Sequence, residues 1–110
     1  MDDTFLNACL ERLPKGWFRS SEDIAEDEQR QLRVELTDGH VLDGIAVRVV
    51  AHRMGTDDIL CWHPHEPQRF TVVHLSRGGK GYDSLHPTVE SDGTFDDFLE
   101  YESKWDRGYE

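Results

Sequence analysis

Residues 46–77 read AVRVVAHRMGTDDILCWHPHEPQRFTVVHLSR, and this stretch decides the fold class. It contains three runs rich in β-branched and other apolar residues, at 46–53, 58–63 and 69–77. Runs of this kind, bounded by turn residues, are typical of β-strands, and short connections favour antiparallel pairing. The stretch therefore predicts an antiparallel meander of three to four strands.

The segments on either side of this stretch have helical periodicity instead. Apolar residues recur on one face over roughly 3–13 and, more thinly, over 22–37, and a third face lies at about 95–105 and includes Phe95, Phe98 and Trp105. Asp2 or Asp3 is expected to cap the first helix, and the sequence from Thr94 to Asp97 resembles a capping box with Asp in place of Glu. We expect a connecting segment around Trp17 and Phe18, and irregular structure over 82–93.

These elements predict a single α+β domain over residues 1–110. It has two N-terminal helices, the antiparallel sheet, and a C-terminal helix packed on one face of the sheet. Val73 and Leu75 alternate with Val72 and His74 along the last predicted strand. We expect Val73, Leu75 and Phe98 to share one core cluster.

The net charge of −11 is unevenly distributed along the chain. Residues 1–45 carry a net charge of −6 and residues 83–110 one of −7, whereas residues 46–82 carry +2. The acidity thus belongs to the predicted helices. A field of this sign repels nucleic acid and attracts basic partners, so we expect a basic protein partner and no nucleic acid. The alternative is that the acidity serves only to keep the protein soluble.

Other sequence features favour a cytoplasmic protein. No apolar run approaches the roughly 20 residues that a membrane helix needs, and the first residues lack the basic start and apolar centre of a signal peptide. The two cysteines, Cys9 and Cys61, lie in predicted apolar faces. We expect buried thiols, with a disulfide as the alternative in an oxidising compartment.

The six histidines raise the question of a metal site. His63 and His65 are two residues apart, and His52 and His74 lie on the flanking strands. Zinc needs three or four converging ligands, and the spacing fixes no third one, so we expect turn and surface histidines and no metal. For His74 a core position and an exposed sheet face both remain open.

The remaining candidate sites are weak. Asp57-Asp58 is interpreted as part of a hairpin turn, with acid–base catalysis or cation binding as the alternative. The glycine-rich segment 78–81 lacks the frame of a phosphate-binding loop, and no Ser or Cys has a base at a recognisable spacing. We therefore expect no catalytic residues and no cofactor.

The C-terminal helix offers the most specific hypothesis. Acidic residues there surround aromatic ones, as a surface complementary to a basic cleft would require. The alternative, which is compatible with the first, is that Phe95, Phe98 and Trp105 pack on the sheet while the acids face water. The predicted partner-binding residues are Asp96, Asp97, Glu100, Tyr101 and Glu102.

The strand region also resembles a family of small, uncharacterised bacterial cytoplasmic proteins. Their pattern combines a VRxxAR segment, an Asp-Asp-hydrophobic-Leu hairpin and a VVHL[ST]W strand before an aromatic and acidic helix. The residues that fit it are Val47-Arg48, Ala51, Arg53, Asp57–Leu60 and Val72–Ser76, whereas Arg77 stands where the pattern has Trp. The resemblance implies an α+β fold, and proteins of this type are similar to the immunity partners of secreted bacterial toxins.

Three functional hypotheses follow. The first is an immunity-type protein that neutralises a basic bacterial toxin by occluding its active site. The second is an adaptor or regulatory module that binds a protein partner through its sheet. The third is a small metal-dependent enzyme built on His63, His65, His74 and Asp58.

Overall fold

The computed structural model describes residues 4–77 and 87–108, with side chains described as far as Lys104. The described residues form three helices and five strands, and four of the strands are consecutive in the chain. In chain order they are α1 (Thr4–Leu10), β1 (Trp17–Arg19), α2 (Glu22–Glu35), β2 (Arg48–Arg53), β3 (Asp58–Trp62), β4 (Phe70–His74), β5 (Thr88–Gly93) and α3 (Phe95–Gly108). The α+β class is confirmed.

The five strands form one antiparallel sheet in the order β1-β2-β3-β4-β5. The three predicted strands correspond to β2, β3 and β4, but the count of three to four strands was too low. The extra strands are the two edges of the sheet. β1 lies in the predicted connecting segment around Trp17, and β5 lies in the segment predicted to be irregular.

The two edge strands escaped prediction for different physical reasons. β1 has only three residues, too few for an alternating pattern to be recognised. β5 reads TVESDG, in which polar residues predominate because most of its side chains are partly or fully exposed. Each strand is held by backbone hydrogen bonds to one neighbouring strand. Neither has the apolar periodicity by which a strand is recognised in the sequence.

The sheet has a separate apolar cluster on each face. Leu60 and Val72 belong to the cluster covered by α1 and α3, and Ile59 and Val73 belong to the cluster covered by α2. Adjacent residues alternate in this way because successive side chains of a strand point to opposite faces. We call the first cluster the α3-side core and the second the α2-side core.

This arrangement corrects the expected core cluster. Val73 and Leu75 are fully buried in the α2-side core, together with Leu32 of α2, whereas Phe98 lies in the α3-side core. The prediction that Val73, Leu75 and Phe98 share one cluster is wrong. Both faces of β4 are buried, so alternation alone could not decide which face α3 covers.

α3 packs through the aromatic residues that the periodicity predicted. Phe95 and Phe98 are buried, with Phe95 edge-on to Phe70 at 5.2 Å and Phe98 edge-on to Trp17 at 5.1 Å between ring centroids. The predicted contribution of Trp105, the cap at Asp2 or Asp3, and the glycine-rich segment 78–81 lie outside the described residues and side chains.

α2 is fastened to the end of β4 by one buried carboxylate. Glu35 accepts hydrogen bonds from the backbone N–H groups of Ser76 and Arg77, at 2.7 and 3.0 Å, and from the Ser76 hydroxyl at 3.0 Å. Gln31, one turn earlier, donates to the same carboxylate at 2.7 Å. Glu35, the last residue of α2, therefore links the end of this helix to the segment that follows β4.

The two cysteines lie on opposite sides of the sheet. Cys9 belongs to the α3-side core and Cys61 to the α2-side core, and both are buried free thiols. Among the described residues no helix has the length and apolar character of a membrane span; the longest have 14 residues.

Candidate functional site

The N-terminus of α3 has the predicted cap. The Thr94 hydroxyl accepts a hydrogen bond from the N–H of Asp97 at 3.1 Å, and the Asp97 carboxylate accepts one from the N–H of Thr94 at 2.9 Å. This is the reciprocal pairing of a capping box, with Asp in the role usually filled by Glu. Asp97 thus has a structural role even though its side chain is exposed.

The five predicted partner-binding residues do not form one surface. Asp96, Asp97 and Glu100 are exposed on the outer side of α3. Tyr101 is half-buried and donates from its hydroxyl to Glu90. Glu102 is buried, as described next.

Glu102 lies against β1 instead of facing solvent. Its carboxylate accepts a hydrogen bond from the indole N–H of Trp17 at 2.8 Å and lies 3.9 Å from the guanidinium of Arg53. The position follows from helical spacing, because Glu102 is four residues beyond the buried Phe98. Where acidic and aromatic residues are interspersed, the sequence does not reveal which acid lies on the side of the helix that faces the sheet.

The exposed acids of α3 are only weakly compensated by bases. Asp96 forms an ion pair with Arg12 at 3.1 Å, but both side chains are more than half exposed. Exposed pairs of this kind contribute about 0–1 kcal/mol and are screened by salt. We call Asp96, Asp97 and Glu100 the acidic face of α3.

A second group of polar residues lies beside the middle of α3, next to Tyr101. Asp58 on β3, His74 on β4 and Glu90 on β5 each offer one potential ligand atom, and these atoms lie within 4.8 Å of one another. His74 Nδ1 donates to Asp58 Oδ1 at 2.8 Å, and the Tyr101 hydroxyl donates to Glu90 Oε2 at 3.3 Å. We call Asp58, His74 and Glu90 the three-strand cluster.

Strand pairing explains why these three residues meet. Asp58 and His74 are directly opposite each other in the β3–β4 ladder. In the next ladder Val72 is opposite Ser91 while Val73 is opposite Val89, so Glu90 is the extra residue of a β-bulge. A bulge redirects a side chain locally, and here it accompanies the placement of Glu90 beside Tyr101 and the Asp58–His74 pair.

The electrostatics of the cluster centre on Glu90. Burial and the neighbouring carboxyl of Asp58 raise the pKa of Glu90 to about 7. Burial also acts to raise the pKa of Asp58, but hydrogen bonds with Glu90 and His74 outweigh it, so the pKa of Asp58 falls. The hydrogen bond to Asp58 raises the pKa of His74. Two carboxyl groups this close oppose each other's ionisation, so Glu90 retains its proton to a higher pH than an ordinary glutamate does.

One acceptor in the cluster is left over. None of the described residues donates a hydrogen bond to Oε1 of Glu90, although that atom is buried. A buried carboxyl oxygen with no donor is costly unless a proton or a cation reaches it. The cluster can therefore hold a proton or bind a positive ion.

The other histidines do not join this cluster. His63 is buried and pairs through Nε2 with the Thr71 hydroxyl at 2.7 Å, and the Thr71 hydroxyl in turn donates to Asp92 at 3.1 Å. Burial lowers the pKa of His63, and the nearby Arg69 adds to the effect. His65 is exposed. Of the metal set considered from sequence, only Asp58 and His74 come together in the described residues, and Glu90 supplies the third ligand.

A serine–histidine contact was also missed from sequence. The Ser20 hydroxyl lies 2.9 Å from Nδ1 of His52 and 3.3 Å from the carboxylate of Glu28. In a catalytic triad the acid binds the histidine and orients it. Here the acid contacts the serine instead, so these three residues do not have the connectivity of a triad.

Comparison with known proteins adds no relative: no protein-family model, no curated protein and no solved structure matches the chain. The residues of the structure therefore carry the functional argument. The family resemblance stays a prediction; two of the residues on which it rests, Asp58 and His74, meet in the three-strand cluster.

Proposed function

We propose that the chain is an acidic binding protein of the immunity type. It docks on a basic bacterial toxin through the acidic face of α3 and neutralises the toxin by occluding its active site. The observation that carries the proposal is the exposure of Asp96, Asp97 and Glu100 on the helix whose Phe95 and Phe98 are buried. The aromatics hold the helix to the sheet, and the acids face outward, where a partner can reach them.

Charge complementarity explains how such a surface would act. The whole chain carries a net charge of −11, which attracts a basic domain over about 10 Å at 0.1 M ionic strength. Acids at the rim of an interface mainly change the association rate and its salt dependence. Fast, salt-sensitive association suits a protein that must neutralise a toxin before it acts.

The test reverses Asp96 and Glu100 to Lys and leaves Asp97, which caps the helix, unchanged. The chain offers a matched control in α2, where Glu22 and Glu26 are also exposed, also four residues apart and also near a helix N-terminus. Both double variants change the net charge equally. A difference between them therefore reports position and not total charge.

The assay measures association kinetics of the full chain with the purified protein encoded by the neighbouring gene, which the proposal expects to be basic, from low to high salt. We expect Asp96→Lys/Glu100→Lys to lower the association rate about tenfold or more and to flatten its salt dependence. Glu22→Lys/Glu26→Lys should change the rate far less. Equal effects of the two variants, or a wild-type rate that does not depend on salt, would contradict the proposal.

A second candidate function, an adaptor that binds through its sheet, is supported by one observation. β1 is an edge of the sheet, and Phe18 on that strand is about half exposed at 49%. An exposed edge with an aromatic side chain is a common docking feature. In that case Phe18→Ala should weaken partner binding strongly, while Asp96→Lys/Glu100→Lys should leave it unchanged.

A further inference from the structure

We propose that Asp58, His74 and Glu90 bind a divalent transition-metal ion, for which Zn²⁺ is the best fit. The site is separate from the acidic face of α3 and does not depend on the proposed docking function. The expectation of no metal rested on the absence of a third ligand. Glu90 provides that ligand from a strand that the sequence did not reveal.

The geometry requires only a small adjustment. Zinc bonds of about 2.0–2.2 Å in a tetrahedral site place neighbouring ligand atoms roughly 3.4 Å apart. The three candidate ligand atoms lie within 4.8 Å of one another, and the His74–Asp58 contact is already 2.8 Å. Side-chain movements of about an ångström would bring the three ligand atoms to the separation that a bound ion requires. The ligands come from three adjacent paired strands, which keep them in register.

The ligand types favour zinc-class ions over magnesium and calcium. An imidazole nitrogen with two carboxylates suits Zn²⁺ and neighbouring transition metals. Ca²⁺ and Mg²⁺ prefer six or more oxygen ligands, or several retained waters, and gain little from imidazole. With three protein ligands, a coordination position remains for water or a substrate.

The surroundings fit a metal site on two further points. The Tyr101 hydroxyl donates to Glu90 Oε2, so the carboxyl group of Glu90 is oriented by a neighbouring side chain. The buried Oε1 of Glu90 lacks a donor among the described residues, and a cation would satisfy it. The His74 side chain is half exposed, which leaves a route for the ion.

The test titrates Zn²⁺ into the full chain by calorimetry after treatment with EDTA and its removal. We expect one zinc ion per chain, a rise in melting temperature with zinc, and binding of Mg²⁺ and Ca²⁺ that is at least about 100-fold weaker. Co²⁺ should give the visible absorption of a low-coordinate site. Comparable affinity for Ca²⁺ and Zn²⁺ would overturn the assignment, and so would zinc binding no tighter than millimolar.

Variants assign the binding to these residues. His74→Ala and Glu90→Gln should each lower zinc affinity about 100-fold or more, because loss of an outer-sphere partner alone costs about 10–100-fold. Tyr101→Phe should have that smaller effect. His65→Ala removes an exposed histidine elsewhere and should leave affinity unchanged.

Two controls keep the result interpretable. The His74 side chain is half exposed, so His74→Ala carries the test even if Glu90→Gln fails to fold, which circular dichroism without zinc will show. Zinc binding that persists in His74→Ala and disappears in His65→Ala would overturn the proposal. Asp96→Lys/Glu100→Lys should bind zinc like the wild type, so failure of the metal site and failure of the docking surface are distinguishable.

Discussion

Replacing Glu35 should expose how strongly one buried carboxylate fastens α2 to the sheet. Glu35→Ala leaves three donors at the end of β4 without their acceptor: two N–H groups, of Ser76 and Arg77, and the Ser76 hydroxyl. Hydrogen bonds to a charged group contribute about 1.5–3 kcal/mol each. Ser76 and Arg77 are exposed, so water replaces part of the loss once the carboxylate is gone.

We therefore expect Glu35→Ala to lower the free energy of unfolding by about 2–4 kcal/mol. Glu35→Gln retains the shape and one acceptor oxygen, but its amide N–H₂ group must face donors, so about 1–2 kcal/mol should be lost. Glu26→Ala removes an exposed acid from the same helix and should stay within about 0.5 kcal/mol of the wild type.

Urea denaturation measures these differences, provided that the dependence of the unfolding free energy on urea is the same in all variants. The order should be Glu35→Ala, then Glu35→Gln, then Glu26→Ala. If Glu35→Ala costs less than about 1 kcal/mol, or no more than Glu26→Ala, the carboxylate does not hold the strand end and the reasoning fails.

Two further predictions concern the core and the surface. Leu75→Ala removes a fully buried side chain from the α2-side core and should cost about 2–5 kcal/mol in chemical denaturation. The loss should be additive with that of Phe98→Leu across the sheet; strong coupling would contradict the assignment of faces. Arg69 binds Asp92 through two hydrogen bonds and lowers the pKa of that carboxyl. Asp92→Asn should therefore lower the free energy of unfolding by about 1 kcal/mol at pH 7. The difference between wild type and variant should shrink below about pH 4, where Asp92 of the unfolded chain becomes protonated. It should vanish at the lower pH at which Asp92 of the folded protein is protonated too. A difference that is constant from pH 7 to pH 2 would refute the charge pairing.

The sequence predicted the parts of the fold that have a strong periodic pattern. β2, β3 and β4 carry β-branched residues, and the helices carry apolar stripes and recognisable caps. The edge strands have no such signal. β5 in particular owes its place to backbone pairing with β4, which depends on residues far apart in the chain.

The candidate site was only partly predictable for the same reason. Asp58 and His74 were each recognised as polar residues of interest, but separately, as a turn residue and as a residue in the last predicted strand. Their contact depends on the β3–β4 register, and the position of Glu90 depends on a bulge in β5. Glu102 was predicted to lie on the partner-binding surface because it is charged. Its position on the helix instead buries it against Trp17.

Because the two cysteines lie on opposite faces of the sheet, their reaction with a thiol reagent can report partial opening of the protein on each face. Cys9 lies on the seven-residue α1, and Cys61 lies in the central strand β3, where burial raises its pKa to about 12. A thiol reagent reaches a buried cysteine only when its segment opens. Labelling of Cys9 should follow detachment of α1 from one face of the sheet, while labelling of Cys61 should require detachment of α2 from the other face. The ratio of the two labelling rates would then measure how independently the two layers open, without any engineered probe.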